Sequence, residues 1–252
     1  MTKTARPTTA FVLAAGLGTR MRPLTDTLPK PLVRLAGKPL IDHALDRLAD
    51  AGITRAVVNV HHHADLLEAH LASRKVPKII ISDERGVLLE TGGGAVCALP
   101  LIGADSFVIH NSDSVWIEGP VSNLDRLLNA WDEARMDALM LLAPTAMSLG
   151  YDGCGDFFMD AEGRLTRRTD APSAPFVFAG VSIAHPRLLD SAPSGKFSLN
   201  ESWDAAIARR RVFGMRLEGT WMHVGDPQAL QEAEARLRED VPHTAGRPGA
   251  RP

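Results

Sequence analysis

The segment Leu13-Ala14-Ala15-Gly16-Leu17-Gly18-Thr19-Arg20-Met21-Arg22-Pro23-Leu24-Thr25 gathers residue types suited to holding phosphate. Glycines let the backbone approach an anion, and successive N–H groups can turn toward it. Arg20 and Arg22 add charge-assisted hydrogen bonds. Leu28-Pro29-Lys30-Pro31-Leu32 follows, where a proline on each side stiffens the chain around one lysine. The expected phosphate set is Gly16, Gly18, Thr19, Arg20 and Lys30. Two other phosphate loops do not match. A dinucleotide fingerprint needs glycine where Met21 stands, and a helix at once, which Pro23, Pro29 and Pro31 prevent. The G-x-x-x-x-G-K-[ST] loop of ATPases is absent.

Val108-Ile109-His110-Asn111-Ser112-Asp113 places a carboxylate just beyond an apolar run. Mg²⁺ takes oxygen ligands, commonly one or two carboxylates completed by phosphate oxygens, so Asp113 is the candidate metal ligand. Asn111 beside it is expected to face the nucleotide. In Leu89-Glu90-Thr91-Gly92-Gly93-Gly94, three glycines leave either a flexible loop or a flat backbone surface whose N–H and C=O groups can pair with a base edge. His61-His62-His63 invites a metal reading, but consecutive residues of an extended chain point to opposite sides and cannot close on one ion. No Ser/His/Asp or Cys/His constellation stands out for covalent catalysis.

The elements that must position these groups alternate. Ala10–Ala15 is a short apolar run suited to a buried parallel strand. Residues 40–51 repeat apolar side chains at helical spacing, and Gly52 stops the helix. Strands are expected at 55–60, 78–81, 107–109 and 138–143, with helices at 65–72, 94–99 and 121–134. This pattern predicts an α/β, doubly wound, mainly parallel (Rossmann-like) mixed sheet. Ligands of such sheets sit beyond the carboxyl ends of the strands, so the polar sets after Ala15, Ile81 and Ile109 should converge. From about residue 145 a smaller β-rich portion follows. It has a hairpin turning at Ala161-Glu162-Gly163, strands at 176–183, 212–217 and 221–224, and helices at 199–210 and from Asp226-Pro227.

With 252 residues and 45% hydrophobic content, one domain with a substantial core is expected, over residues 8–237. The Pro/Gly/Arg-rich stretch at 241–252 reads as a disordered tail. A formal net charge of −2 offers no global positive field for nucleic acid, so none is expected as a partner. No apolar run suits a signal peptide or a membrane span, and a cytoplasmic protein without membrane partners is expected. Cys97 and Cys154 form no disulfide framework. They read as one buried thiol and one in a loop. Oligomeric state is left open.

The string L-A-A-G-x-G-T-R-M-x-P-x-T followed by P-K-P resembles the sugar nucleotidyltransferase (nucleotidyltransferase A) family, over residues 9–235. The resemblance implies an NTP and a sugar 1-phosphate as partners, joined with release of pyrophosphate, and Mg²⁺ (or Mn²⁺) as cofactor. It implies a triphosphate on Gly16, Gly18, Thr19, Arg20 and Lys30, with Arg20, Lys30 and Asp113 carrying catalysis. It implies base reading by Gly92 and Gly93, and substrate contacts from Glu90, Gly155 and Gly180. Glu90-Thr91-Gly92-Gly93-Gly94 further resembles muramate 1-phosphate uridylyltransferases and their guanylyltransferase relatives acting on mannose or heptose 1-phosphate. The pattern breaks once. The family's late W-x-D-V-G segment is Trp221-Met222-His223-Val224-Gly225 here, with His223 in place of a metal carboxylate. His223 could bind Mn²⁺ or contact phosphate as a cation, Asp226 could reach in, or one carboxylate could suffice. A catalytically silent nucleotide-sugar binder is the alternative class.

Overall fold

The computed structural model describes residues 6–239, so the tail expected at 241–252 lies outside the described residues. Strand β1 (Thr9–Leu13) leads into two single 3₁₀ turns, Thr19–Met21 and Lys30–Leu32, and a tight ribbon of β2 (Arg34–Leu35) and β3 (Lys38–Pro39). Then come α1 (Leu40–Asp50), β4 (Arg55–Val60), α2 (Ala64–Leu71), β5 (Lys78–Asp83), α3 (Glu90–Ile102), β6 (Phe107–Asn111), β7 (Ser114–Glu118), α4 (Asn123–Ala130) and β8 (Ala138–Pro144). The remainder holds β9 (Phe157–Met159), β10 (Leu165–Arg167), β11 (Phe176–Ala184), α5 (Leu199–Ala208), β12 (Val212–Arg216), β13 (Gly219–His223) and α6 (Pro227–Glu239).

Strands β5, β4, β1 and β6 lie side by side and parallel. Beyond β6 runs β11, antiparallel to it and to β8, and β8 pairs in parallel with β12. The β9–β10 hairpin closes that edge. This is the mainly parallel mixed sheet that the alternation of elements predicts. Helices cover both faces because the strands alternate. Ala10 and Val12 of β1 pack toward α1, α2 and α4, while Phe11 packs toward α3 and α5. Each large side chain fully buried this way contributes roughly 1.5–3 kcal/mol.

One pairing was not expected. Strand β7 follows β6 after only Ser112 and Asp113, leaves the main sheet, and pairs antiparallel with β13, setting His223 opposite Ser114. Other boundaries differ from expectation. Helix α3 begins at Glu90 rather than Gly94, so the three glycines lie inside its first turns and are buried. Helix α4 covers Asn123–Ala130 rather than 121–134: Ser122 Oγ caps its start by accepting the Asp125 N–H at 3.2 Å, and Trp131 turns to an extended conformation at its end. Cys97 is exposed, as is Cys154, so neither is the buried thiol expected. The Asp226 cap is present, with Oδ1 accepting the Ala229 N–H at 2.9 Å. Among the described residues no helix is long and apolar enough to cross a membrane.

Candidate active site

The loop expected to hold phosphate forms because its residues allow tight turns and forbid a long helix. Gly18 adopts φ +63°, and its carbonyl accepts from Met21 N–H at 2.9 Å and Thr25 Oγ1 at 2.8 Å. A Cβ at Gly18 would come within 2.9 Å of Lys30 Cβ, so the glycine lets the loop close on the lysine. Lys30 opens its own 3₁₀ turn between Pro29 and Pro31 and is 13% exposed. Gly16, Thr19 and Arg20 are exposed on the loop, and nothing crowds Gly16. Arg22 points elsewhere and pairs with Asp26 at 3.3 Å.

Lys30 Nζ donates to Asp113 Oδ2 at 2.5 Å. Asp113 occupies the two-residue turn between β6 and β7 and is about a third exposed, at 32%. Burial pushes its carboxyl up, but the Lys30 ammonium outweighs that and holds it below the usual carboxylate range. A cavity of about 200 Å³ opens here, and Arg20, Asn111, Asp113, Tyr151, Gly180 and His223 all line it. Gly180 sits at φ +82° in a bulge of β11. A Cβ there would collide with Ser114 Oγ, which donates to the Ala179 carbonyl at 2.8 Å. Arg20, Asp113 and His223 thus share one cavity, with Lys30 bonded to Asp113, while Gly16 and Thr19 are not among its lining residues.

His223 reaches this cavity through the β13–β7 pairing, with Tyr151 and Trp221 edge-on or tilted against it at 6.3 and 5.7 Å. A Cβ at Gly225 would collide with the imidazole, which explains the glycine. Burial lowers the His223 pKa, and Arg20 lowers it further. With no anion bound, the ring is thus harder to protonate than a free imidazole. Asp226 spends one oxygen on the α6 cap. Among the described residues no cluster of three or more His, Cys, Asp or Glu side chains is arranged to hold a metal, His61-His62-His63 included. Instead His61 Nδ1 bonds the Glu84 carbonyl at 2.7 Å and His62 Nε2 the Thr25 carbonyl at 3.3 Å.

The strand ends converge through a residue whose role is not evident from sequence. Asn59, at the end of β4, accepts from the N–H groups of Ala14 (2.6 Å) and Ala15 (3.2 Å) and donates to Glu84 Oε1 at 2.8 Å. The polar sets after β1, β4 and β5 are thereby fastened together. Burial pushes the Glu84 carboxyl above its ordinary range. A polar residue inside Arg55-Ala56-Val57-Val58-Asn59-Val60 was the available signal. The three glycines are explained by packing. The space a Cβ would need is filled by the Phe197 ring at Gly92, the Gly195 carbonyl at Gly93, and Glu84 with Asn59 at Gly94. The N–H groups of Gly92 and Gly93 donate to the Phe197 carbonyl at 3.0 and 3.3 Å, so they are not the free donors expected.

Glu90 is 46% exposed and forms an ion pair with Lys196 at 3.5 Å. Gly155 is needed because a Cβ would strike the Ala174 carbonyl; its N–H donates to Tyr151 Oη and its carbonyl accepts from Arg168 Nε. Its neighbour Asp156 instead lines a second cavity, of about 310 Å³, that shares Asn111 and Phe178 with the first.

Residues 9–154 match the family model described as nucleotidyl transferase. The chain belongs to that family. It is 51% identical to an N-acetylmuramate alpha-1-phosphate uridylyltransferase of Caulobacter vibrioides, over 92% of this chain and 98% of that one. It is 33% identical to the protein of the same name in Neisseria meningitidis, over 90% and 96%. Its fold is that of the inositol-1-phosphate CTP transferase of T. maritima, with a TM-score of 0.74 over 94% of this chain and 99% of that one, at 20% identity.

Proposed function

We propose that this nucleotidyltransferase moves the uridylyl group of UTP onto N-acetylmuramate 1-phosphate, forming the UDP-sugar and pyrophosphate. The observation that carries the reading is that Arg20 and Asp113 line one cavity, with Lys30, packed against the Gly18 turn, bonded to Asp113. The choice of UTP and of this sugar rests on similarity to uridylyltransferases over nearly the whole chain.

The chemistry follows from charge. A sugar phosphate oxygen attacks the α-phosphorus in line, the bond to the bridging oxygen of the β-phosphate breaks, and pyrophosphate departs. The nucleophile is already an anion, so no general base is required. Two anions must be brought together, and fixed cations with correct positioning carry the rate. Lys30 and Arg20 offset the triphosphate charge. Asp113 holds Lys30 in place until the phosphates arrive, which removes the need to reorganise the site at the moment of reaction. Gly18 shapes the turn that receives the leaving group.

A divalent cation fits this donor set. Asp113 is kept ionised and reaches the cavity surface, and substrate phosphates supply hard oxygen ligands. Mg²⁺ suits those oxygens; Mn²⁺ would accept the neutral imidazole of His223 as well. When bound there, the metal would polarise the α-phosphate. Such a substrate would place the enzyme in cytoplasmic recycling of cell-wall sugar.

A panel of four NTPs against N-acetylmuramate, mannose, heptose and glucose 1-phosphates, read by pyrophosphate release with Mg²⁺ or Mn²⁺, tests the reading. Turnover should be highest with UTP and N-acetylmuramate 1-phosphate. A preference for GTP with mannose or heptose 1-phosphate would overturn the substrate assignment, and no release with any pair would leave only a binder.

A further inference from the structure

Resting on that reading, we propose that Arg167 makes the enzyme selective for an acidic sugar, by taking the sugar's carboxylate in the second cavity.

That cavity adjoins the phosphate cavity through Asn111 and Phe178. At about 310 Å³ it has room for a monosaccharide whose phosphate rests near Asp113. Among the described residues lining it, Arg167 is the one cation. Its guanidinium is held from three sides: Nε donates to Asp204 at 2.6 Å, Nη2 donates to Asn200 Oδ1 at 2.7 Å, and the Phe157 ring lies 4.6 Å away. Among the described residues Nη1 makes no hydrogen bond, so the fixed fork keeps a donor for a ligand. Asp204, 56% exposed, occupies Nε and leaves the Nη1 donor open.

A carboxylate close to Arg167 limits how the sugar can lie: Asp156 precedes Phe157, the strand partner of Arg167, and its carbonyl accepts the Arg168 N–H at 2.9 Å. Asp156 also lines the cavity, with Oδ2 accepting the Phe178 N–H at 2.9 Å. A carboxylate is repelled there, whereas a sugar hydroxyl or acetamido N–H is welcome. An N-acetylhexosamine with an ether-linked lactyl carboxylate can offer both partners, a neutral donor to Asp156 and its anion to the open Nη1 of Arg167. A sugar without the carboxylate leaves the guanidinium with no partner for its spare donor, and that lowers its affinity.

The test compares wild type, Arg167→Met and Arg167→Lys at saturating UTP. The sugars are N-acetylmuramate 1-phosphate and N-acetylglucosamine 1-phosphate, which lacks only the lactyl group. Thermal melting checks each variant. The ratio of kcat/KM for the two sugars should fall at least about tenfold in Arg167→Met, mainly through KM of the acidic sugar. Arg167→Lys should recover part of it. Should Arg167→Met fail to fold, a smaller fall of the ratio in Arg167→Lys supports the proposal, and no fall opposes it. An unchanged ratio, with both sugars losing equally, would show a structural tie between β10 and α5 and overturn the proposal. Failure of wild type with the acidic sugar alone would instead overturn the substrate reading itself.

Discussion

Lys30 Nζ lies 2.5 Å from Asp113 Oδ2, joining the loop before α1 to the turn after β6. If this pair prepares the triphosphate site, Lys30→Ala and Asp113→Asn should each lower kcat/KM by about 10²-fold or more. The loss of one charge-assisted hydrogen bond should cost only about 1–3 kcal/mol of stability. Steady-state kinetics beside chemical denaturation separates the two effects. Near-normal turnover in both variants contradicts the roles.

Gly180 and Ser114 form a second dependent pair. Gly180→Ala places a Cβ against Ser114 Oγ and leaves alanine at φ +82°. The backbone strain alone should cost about 1–3 kcal/mol. Because Ser114 adjoins Asp113, turnover should fall as well. Adding Ser114→Ala should restore part of the melting temperature by removing the collision, though not the strain. A fully additive double variant argues against the contact.

Acid should weaken the fold through His110. The imidazole is fully buried, and burial pushes its pKa down to about 4. The unfolded chain binds the proton near pH 6.5, so stability is complete above that value and is lost as pH falls toward 4. The loss amounts to up to about 3 kcal/mol. Glu84 opposes this, since its raised pKa means that acid relieves a buried charge. Asp113, whose pKa is depressed, contributes stability that is lost only lower, below the ordinary carboxylate range. Urea unfolding at pH 7, 6 and 5 should show the slope, and His110→Gln should flatten it. An equal slope in the variant assigns it elsewhere.

Asp137 gives a control remote from the chemistry. It is 3% exposed and bonded to Arg187, Arg209 and Arg211. It precedes β8, which runs parallel to β6, so it lies at the end of the sheet opposite Asp113. Asp137→Asn uncouples three arginines from a buried anion and should cost about 3–5 kcal/mol. The folded fraction should keep its kcat. A drop in kcat at full folding would mean that the two ends of the sheet communicate.

The parallel half of the sheet was legible in sequence because its strands are short apolar runs closed by local signals, such as Gly52 after α1. The turns at Gly18 and Lys30 were legible because glycine and proline act on the backbone of their own neighbourhood. What escaped was long-range. Strand β7 has no boundary signal of its own and finds its partner β13 about a hundred residues later, yet that pairing delivers His223 to the site. The glycine type of Gly92 and Gly93 is visible in sequence, whereas the Phe197 ring and Gly195 carbonyl that fill the space above them are not. Arg167 looks like any surface arginine until β10 and α5 bring Phe157, Asn200 and Asp204 around it.

The most direct measurement is a crystal structure with Mg²⁺ and a non-hydrolysable UTP analogue. The account predicts phosphate oxygens within hydrogen-bond reach of Lys30 Nζ, the chain turning at Gly18 around them, and a cation between the α-phosphate and Asp113. Phosphates bound elsewhere, with Lys30 and Asp113 still joined to each other alone, would contradict it.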